Sequence, residues 1–193
     1  MKDSYPDKGV MNTLKPTLWR TCRVIANETR LRLLWALFAQ TELCVSDAAK
    51  RVEMGNAQAS LQLRALNARG LISSRREKMK VFYRPAANDG VIAAPELLEG
   101  LRQCYDRGMT HRAVIRQATA FTHQRRIELV KALEETSMDW DELIEKTGMS
   151  SSSIYLHLDK LIRRGFVAKK GARYRLSCPR NRFGALLLRI ALS

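Results

Sequence analysis

Two stretches of this chain gather cations with little to oppose them. One holds Arg75, Arg76, Lys78 and Lys80 around Glu77; the other holds Lys169, Lys170, Arg173 and Arg175 with no acid between them. Each follows a helical pattern by a few residues. In the first pattern Ala59, Leu63 and Leu66 fall at i, i+4 and i+7 and are expected to face a core, which leaves Asn56, Gln58, Ser60, Leu61, Gln62 and Arg64 outward. In the second, Ile154, Leu158 and Leu161 take the core face. Ser151, Ser152, Ser153, Tyr155, Leu156, His157 and Lys160 are left outside.

The outward side chains suit one chemistry. Asn and Gln bond the adenine edge bidentately, Arg bonds guanine, and Ser serves a base or a phosphate. A serine run at a helix N-terminus also offers hydroxyls and free N–H groups to an anion. Hairpin cations neutralise phosphates and release counterions. A helix laid in a groove, followed by a basic hairpin on the backbone, is a reader of double-stranded DNA.

The elements that hold these residues are spelled out twice. SLQLRALNARGLI (60–72) and YLHLDKLIRRGFV (155–167) align without a gap, and TRLRLLWAL (29–37) matches RRIELVKAL (125–133) upstream. A self-match about 95 residues apart indicates two related modules, not a short solenoid repeat.

In the first unit, Leu18, Val24 and Ile25 mark one helix. Asn27 is the expected cap of the next, over Leu31 to Phe38. Further helices are expected at Val45–Val52 and Asn56–Arg69, the latter stopped by Gly70. Residues Leu71–Pro85 change to strand period, ANDG (87–90) breaks the chain, and Pro95 opens a helix to Arg107. The second unit repeats the plan, with helices at His111–Ala120, His123–Glu135, Trp140–Thr147 and Ser151–Arg164. Asp139 and Glu142 are spaced as a capping box, and Cys44 and Asp47 hold the equivalent places in the first unit. A hairpin over Phe166–Leu176 and an apolar tail helix, NRFGALLLRIALS, complete it.

Composition agrees. A net charge of +15 favours a polyanionic partner, and 46% hydrophobic residues are those of a globular chain. No stretch approaches 18 consecutive apolar residues and the polar start MKDSYPDKGVMN lacks a signal-peptide core, so no membrane partner and a cytoplasmic location are expected. Cys22, Cys44, Cys104 and Cys178 form no CxxC pair, and His111, His123 and His157 make no ligand spacing. No metal or other cofactor is expected. Without a nucleophile elbow, Gly-rich phosphate loop, HExxH or paired carboxylates, neither is an enzyme.

ANETRLRLLWAL (26–37), ELCVSDAA (42–49) and the SLQLRALNARGLI block with its VFYR strand resemble the bacterial ArsR-type family of winged-helix repressors. The resemblance is stronger over 15–105 and weaker over 110–178. It implies a homodimer whose first and last helices pack together, presenting two wings to a palindromic operator. In the family's metal-sensing branch ELCVSD would carry a cysteine pair; here Ser46 stands where the partner of Cys44 would be.

The expected fold is mainly α with small β-wings. Two tandem winged helix-turn-helix domains, 13–108 and 109–193, would adopt a pseudo-two-fold arrangement. The expected function is a sequence-specific transcriptional regulator, a repressor, on an imperfect palindrome, with one chain as a pseudo-dimer or as half of a homodimer built through the tail. The alternatives are a tandem winged-helix replication initiator and a chromosome-associated scaffold.

Overall fold

The computed structural model describes residues 17–193; the polar stretch 1–12 and the domain boundary expected at 13 lie outside the described residues. Helix α1 (Leu18–Ile25) leads into α2 (Glu28–Gln40), where the Asn27 side chain accepts from Arg30 N at 3.0 Å and caps the helix as its position predicts. Strand β1 (Leu43–Cys44), α3 (Val45–Arg51) and α4 (Asn56–Asn67) follow. Gly70 then turns the chain at φ +68, and a Cβ there would meet Val91 Cβ at 2.9 Å, so glycine is required twice over.

Strands β2 (Ser73–Glu77) and β3 (Lys80–Arg84) form the expected hairpin, with Glu77 opposite Lys80. The sheet has a third strand that periodicity does not reveal. Leu43 lies opposite Tyr83 and Cys44 opposite Phe82, giving the order β1-β3-β2. Two residues are too few to show a period.

Helix α5 (Ala94–Asp106) and α6 (His111–Ala118) are joined by a short link capped by Thr110. The helix expected over His111–Ala120 tightens into a 3-10 turn at Thr119–Phe121. Next, α7 (Gln124–Ala132) starts after His123, whose ring Nδ1 accepts from Arg125 N at 3.1 Å. It stops short of the expected Glu135, and carboxylates at Glu134 and Glu135 would oppose the negative end of the helix.

Helix α8 (Trp140–Thr147) carries the capping box of Asp139 and Glu142, and α9 (Ser151–Arg164) ends at Gly165 with φ +83. Strands β4 (Val167–Lys170) and β5 (Arg173–Leu176) pair antiparallel, and α10 (Arg182–Leu192) closes the chain. An isolated bridge from Met138 to Tyr174 stands where β1 meets β3 in the first half.

The core is built from the residues that fell at helical spacing, among them Leu31, Leu34, Leu63, Leu66, Leu129, Ile154, Leu158 and Leu161, all buried. It is continuous across the two halves. Helix α1 packs on α6 and the 3-10 turn, α2 on α6, and α10 against α5, α6 and α7. Trp35 of α2 meets Tyr105 of α5 edge-on at 6.0 Å and His111 of α6 at 5.3 Å. Where α5 crosses α10, Gly100 removes the side chain that would strike Leu186, and Arg189 pairs with Glu96 at 2.8 Å.

Candidate nucleic-acid interface

Along α4, Asn56, Gln58, Leu61 and Arg64 are exposed and Ser60 is half-buried. Along α9, Ser151, Ser152 and Tyr155 are exposed, while Ser153 and Lys160 are half-buried. Burial first, and then the charges of Arg164, Arg126 and Arg163, hold the Lys160 ammonium below its ordinary pKa. Ser150 is the N-cap of α9, its hydroxyl accepting from Ser153 N at 3.4 Å, and Trp140 Nε1 donates to Ser151 Oγ at 3.2 Å. The start of α9 is thus pinned to α8, which fixes the angle at which its outer face is presented.

Two of the residues expected outward point inward. His157 is 7% exposed, and Gln62 is half-buried with its amide oxygen taken by Arg30 Nε at 2.8 Å. Both sit at i+3 from a core residue, Ala59 in one helix and Ile154 in the other. The core face of a helix includes i+3 as well as i+4 and i+7, which is why these two side chains turn in.

The two inward residues reveal a repeated device that the spacing alone hid. Arg30 bonds Gln62 and donates to the Arg23 and Val24 carbonyls at 3.3 and 3.1 Å, tying the end of α1 to α4. Arg126, its match in the aligned repeat, is buried; it lies 3.5 Å from His157 Nδ1 and donates to the Ala120 carbonyl and to Thr122 Oγ1, each at 2.6 Å. The paired arginines are legible as a match between TRLRLL and RRIELV, but not as anchors, one half-buried and one buried. Burial, then His123, Arg126 and Arg125, pushes His157 down to about 4, with Glu128 pulling the other way. The His123 ring lies 4.4 Å from it, centroid to centroid.

The hairpins are less uniformly free than their charge runs suggest. Arg75 donates to both carboxylate oxygens of Glu42, at 2.9 and 2.7 Å, bonds Glu77, and lies over the Phe82 ring at 4.5 Å. The bond from Arg75 is the main reason the Glu42 carboxyl sits below its usual range. Arg173 pairs with Glu142 at 3.0 Å and bonds Ser137. The second run holds no acid of its own, but α8 brings Glu142 to it. Lys169 lies 5.4 Å from the Tyr174 ring centre. Among the described residues Arg76, Lys78, Lys80, Lys169 and Lys170 are exposed and make no ion pair. The tips differ too: Lys78 takes φ +52 where the second hairpin has Gly171 at +60.

Cys44 is buried, its Sγ 3.0 Å from Ser46 Oγ and donating to Asp47 Oδ2 at 3.0 Å. Burial pushes the Cys104 thiol up to about 11 and that of Cys22 further still, so both remain protonated. Among the described residues no cluster of three or more His, Cys, Asp or Glu could hold a metal ion. Nor is any described helix long and apolar enough to cross a membrane.

Helices α8 and α9, joined by a short turn and followed at once by an antiparallel hairpin, make a winged helix-turn-helix. Residues 123–169, which span it, match the family model described as bacterial regulatory protein, arsR family, so the chain carries an ArsR-type helix-turn-helix domain. That match lies in the half where the resemblance was the weaker. The chain is 34% identical over 61 residues to a cadmium resistance transcriptional regulatory protein CadC homolog of Staphylococcus aureus, covering 32% of this chain and 50% of the relative. It is 35% identical over 79 residues to a transcriptional repressor SmtB homolog of Synechocystis sp., covering 41% of this chain and 59% of that protein. The chain thus spans between half and three-fifths of the length of these relatives. No solved structure matches it.

Proposed function

We propose that this chain is a cytoplasmic, sequence-specific transcriptional regulator, a repressor, that binds double-stranded DNA through two recognition helices and two wings. The observation that carries the reading is the repeated constellation: Arg30 on Gln62 and Arg126 near His157, each anchoring a helix that a basic hairpin follows. The arsR-family match over 123–169 and the two repressor-like relatives support it, as does the net charge of +15.

In this reading α4 and α9 enter successive major grooves. Asn56, Gln58, Ser60, Leu61 and Arg64 face one half-site; Ser151, Ser152, Ser153 and Tyr155, with Lys160 at the edge, face the other. Arg76, Lys78, Lys80, Lys169 and Lys170 lie on the backbone or in the minor groove. The units span 13–108 and 109–193, and one chain stands for a family dimer. Its support is that α1 packs on α6 and α5 on α10, first helix on first and last on last. Ser60 against Tyr155, and Arg64 against an Asp159 that is paired with Arg163 at 2.9 Å, make the half-sites unequal. The operator is an imperfect palindrome with half-sites about 34 Å apart.

The test is selection of bound fragments from a random DNA pool, followed by affinity against salt. A recovered motif, bound more tightly than its shuffled version and weakened steeply by salt, is the expected result. Equal affinity for shuffled DNA would reject sequence-specific regulation and return the scaffold reading; strand opening at the recovered site would favour a replication initiator.

A further inference from the structure

The outer sides of α4 and α9 carry the same aliphatic side chain at the same place. Leu61 is 55% exposed and Leu156 66% exposed, and the gapless alignment of the two helices sets one on the other. The residues beside them differ, with Ser60 against Tyr155, Gln62 against His157 and Arg64 against Asp159. Neither leucine serves the fold. Each lies two residues, about 200° around the helix, from the buried leucine that does, Leu63 or Leu158.

On α4 the residues one turn from Leu61 are Gln58 and Arg64, polar and exposed, and Ala57 and Ala65, too small to extend it, so the apolar surface is one large side chain wide and offers little to a protein partner. The partner assigned above does offer a small apolar target. In the major groove the only apolar group a base pair displays is the 5-methyl of thymine. The chain's charge of +15 and the exposed cations of both hairpins favour that polyanion over an apolar protein surface.

We propose that Leu61 and Leu156 each read the methyl group of a thymine, at corresponding positions of the two half-sites. The inference rests on the DNA-binding reading and adds the base chemistry: a shared thymine in both half-sites, set among flanking bases that differ. Tyr155, exposed beside Leu156, widens the apolar strip in α9 alone.

Replacing each thymine of the selected operator in turn by deoxyuridine, which lacks only that methyl, tests this. With the native chain, one position per half-site loses about fourfold in affinity, the worth of one buried methyl-sized group. Leu61→Ala abolishes the sensitivity in one half-site and spares the other; Leu156→Ala does the reverse. Both sites are on the surface, so melting temperatures should match the native chain's; if one falls, the uridine series on the native chain decides. Three results would overturn the inference while leaving DNA binding intact: equal affinity for thymine and uracil at every position, methyl sensitivity that survives both alanine variants, or a selected motif without matching thymines. A native chain that prefers no sequence overturns the regulator reading itself.

Discussion

Arg126 shows what one buried guanidinium does here. It holds the Ala120 carbonyl, Thr122 and the edge of His157 together, and burial lowers its pKa because the charge has lost water on most sides. Arg126→Ala leaves a buried carbonyl without its donor and should cost about 1–3 kcal/mol in urea unfolding. His157 gives a pH signature. Its folded pKa of about 4 lies below the ordinary 6.5, so between those values the unfolded chain takes the proton first. The stability it contributes is complete above pH 6.5, is lost as pH falls towards 4, and falls no further below that. His157→Gln installs the residue of the first half, keeps an acceptor near Arg126 and removes the titration. The difference in stability between native and variant chains should therefore change with pH only inside that window. A constant difference from pH 7 to 4 would show that His157 is not held neutral.

At the scale of elements, the hairpins divide their cations between structure and charge. Arg75 is clamped by Glu42 and Glu77 and stacked on Phe82, so its charge is largely answered within the chain. Arg76→Ala and Lys80→Ala should each flatten the salt dependence of DNA affinity by about 0.9 in the log–log slope. Arg75→Ala should change that slope less and loosen the β1–β3–β2 sheet instead. Equal slopes for all three variants would show that the pairing with Glu42 gives way on DNA. Helix α10 makes a different prediction. Leu187 is fully buried where α10 meets its neighbours, and Leu187→Ala should cost about 2–5 kcal/mol, measured by denaturant unfolding.

The whole molecule holds its halves together through α1–α6, α5–α10 and the Trp35, Tyr105 and His111 cluster. A continuous core predicts one cooperative transition. Tryptophan signals from Trp35 in the first half and Trp140 in the second, read in single-tryptophan variants, should trace the same unfolding curve. The apolar side of the tail through which a homodimer would be built, Phe183, Leu187 and Leu188, is already buried inside one chain. Light scattering should therefore find one chain in free solution and one chain per minimal operator. Two chains per operator would reject the internal dimer without touching the DNA-binding reading.

Sequence by itself determined what is periodic or locally capped. The helix bounds at Trp140–Thr147 and Ser151–Arg164, the Asn27 cap, the Asp139–Glu142 box and the glycines that end α4 and α9 follow from side chains acting within a few residues of themselves. The core faces of α4 and α9 were legible for the same reason, since a 3.6-residue period needs no knowledge of the partner. Tertiary structure decided the rest. β1 is a strand only because β3 is there to pair with it, and Glu42 and Glu142 enter the hairpins across 33 and 31 residues of chain. Gln62 and His157 turned from readers into anchors because an arginine two helices earlier in the same half came within reach of each. Such contacts depend on which helices cross and at what distance. That geometry is set by the packing of the whole core, and no local window of the sequence carries it.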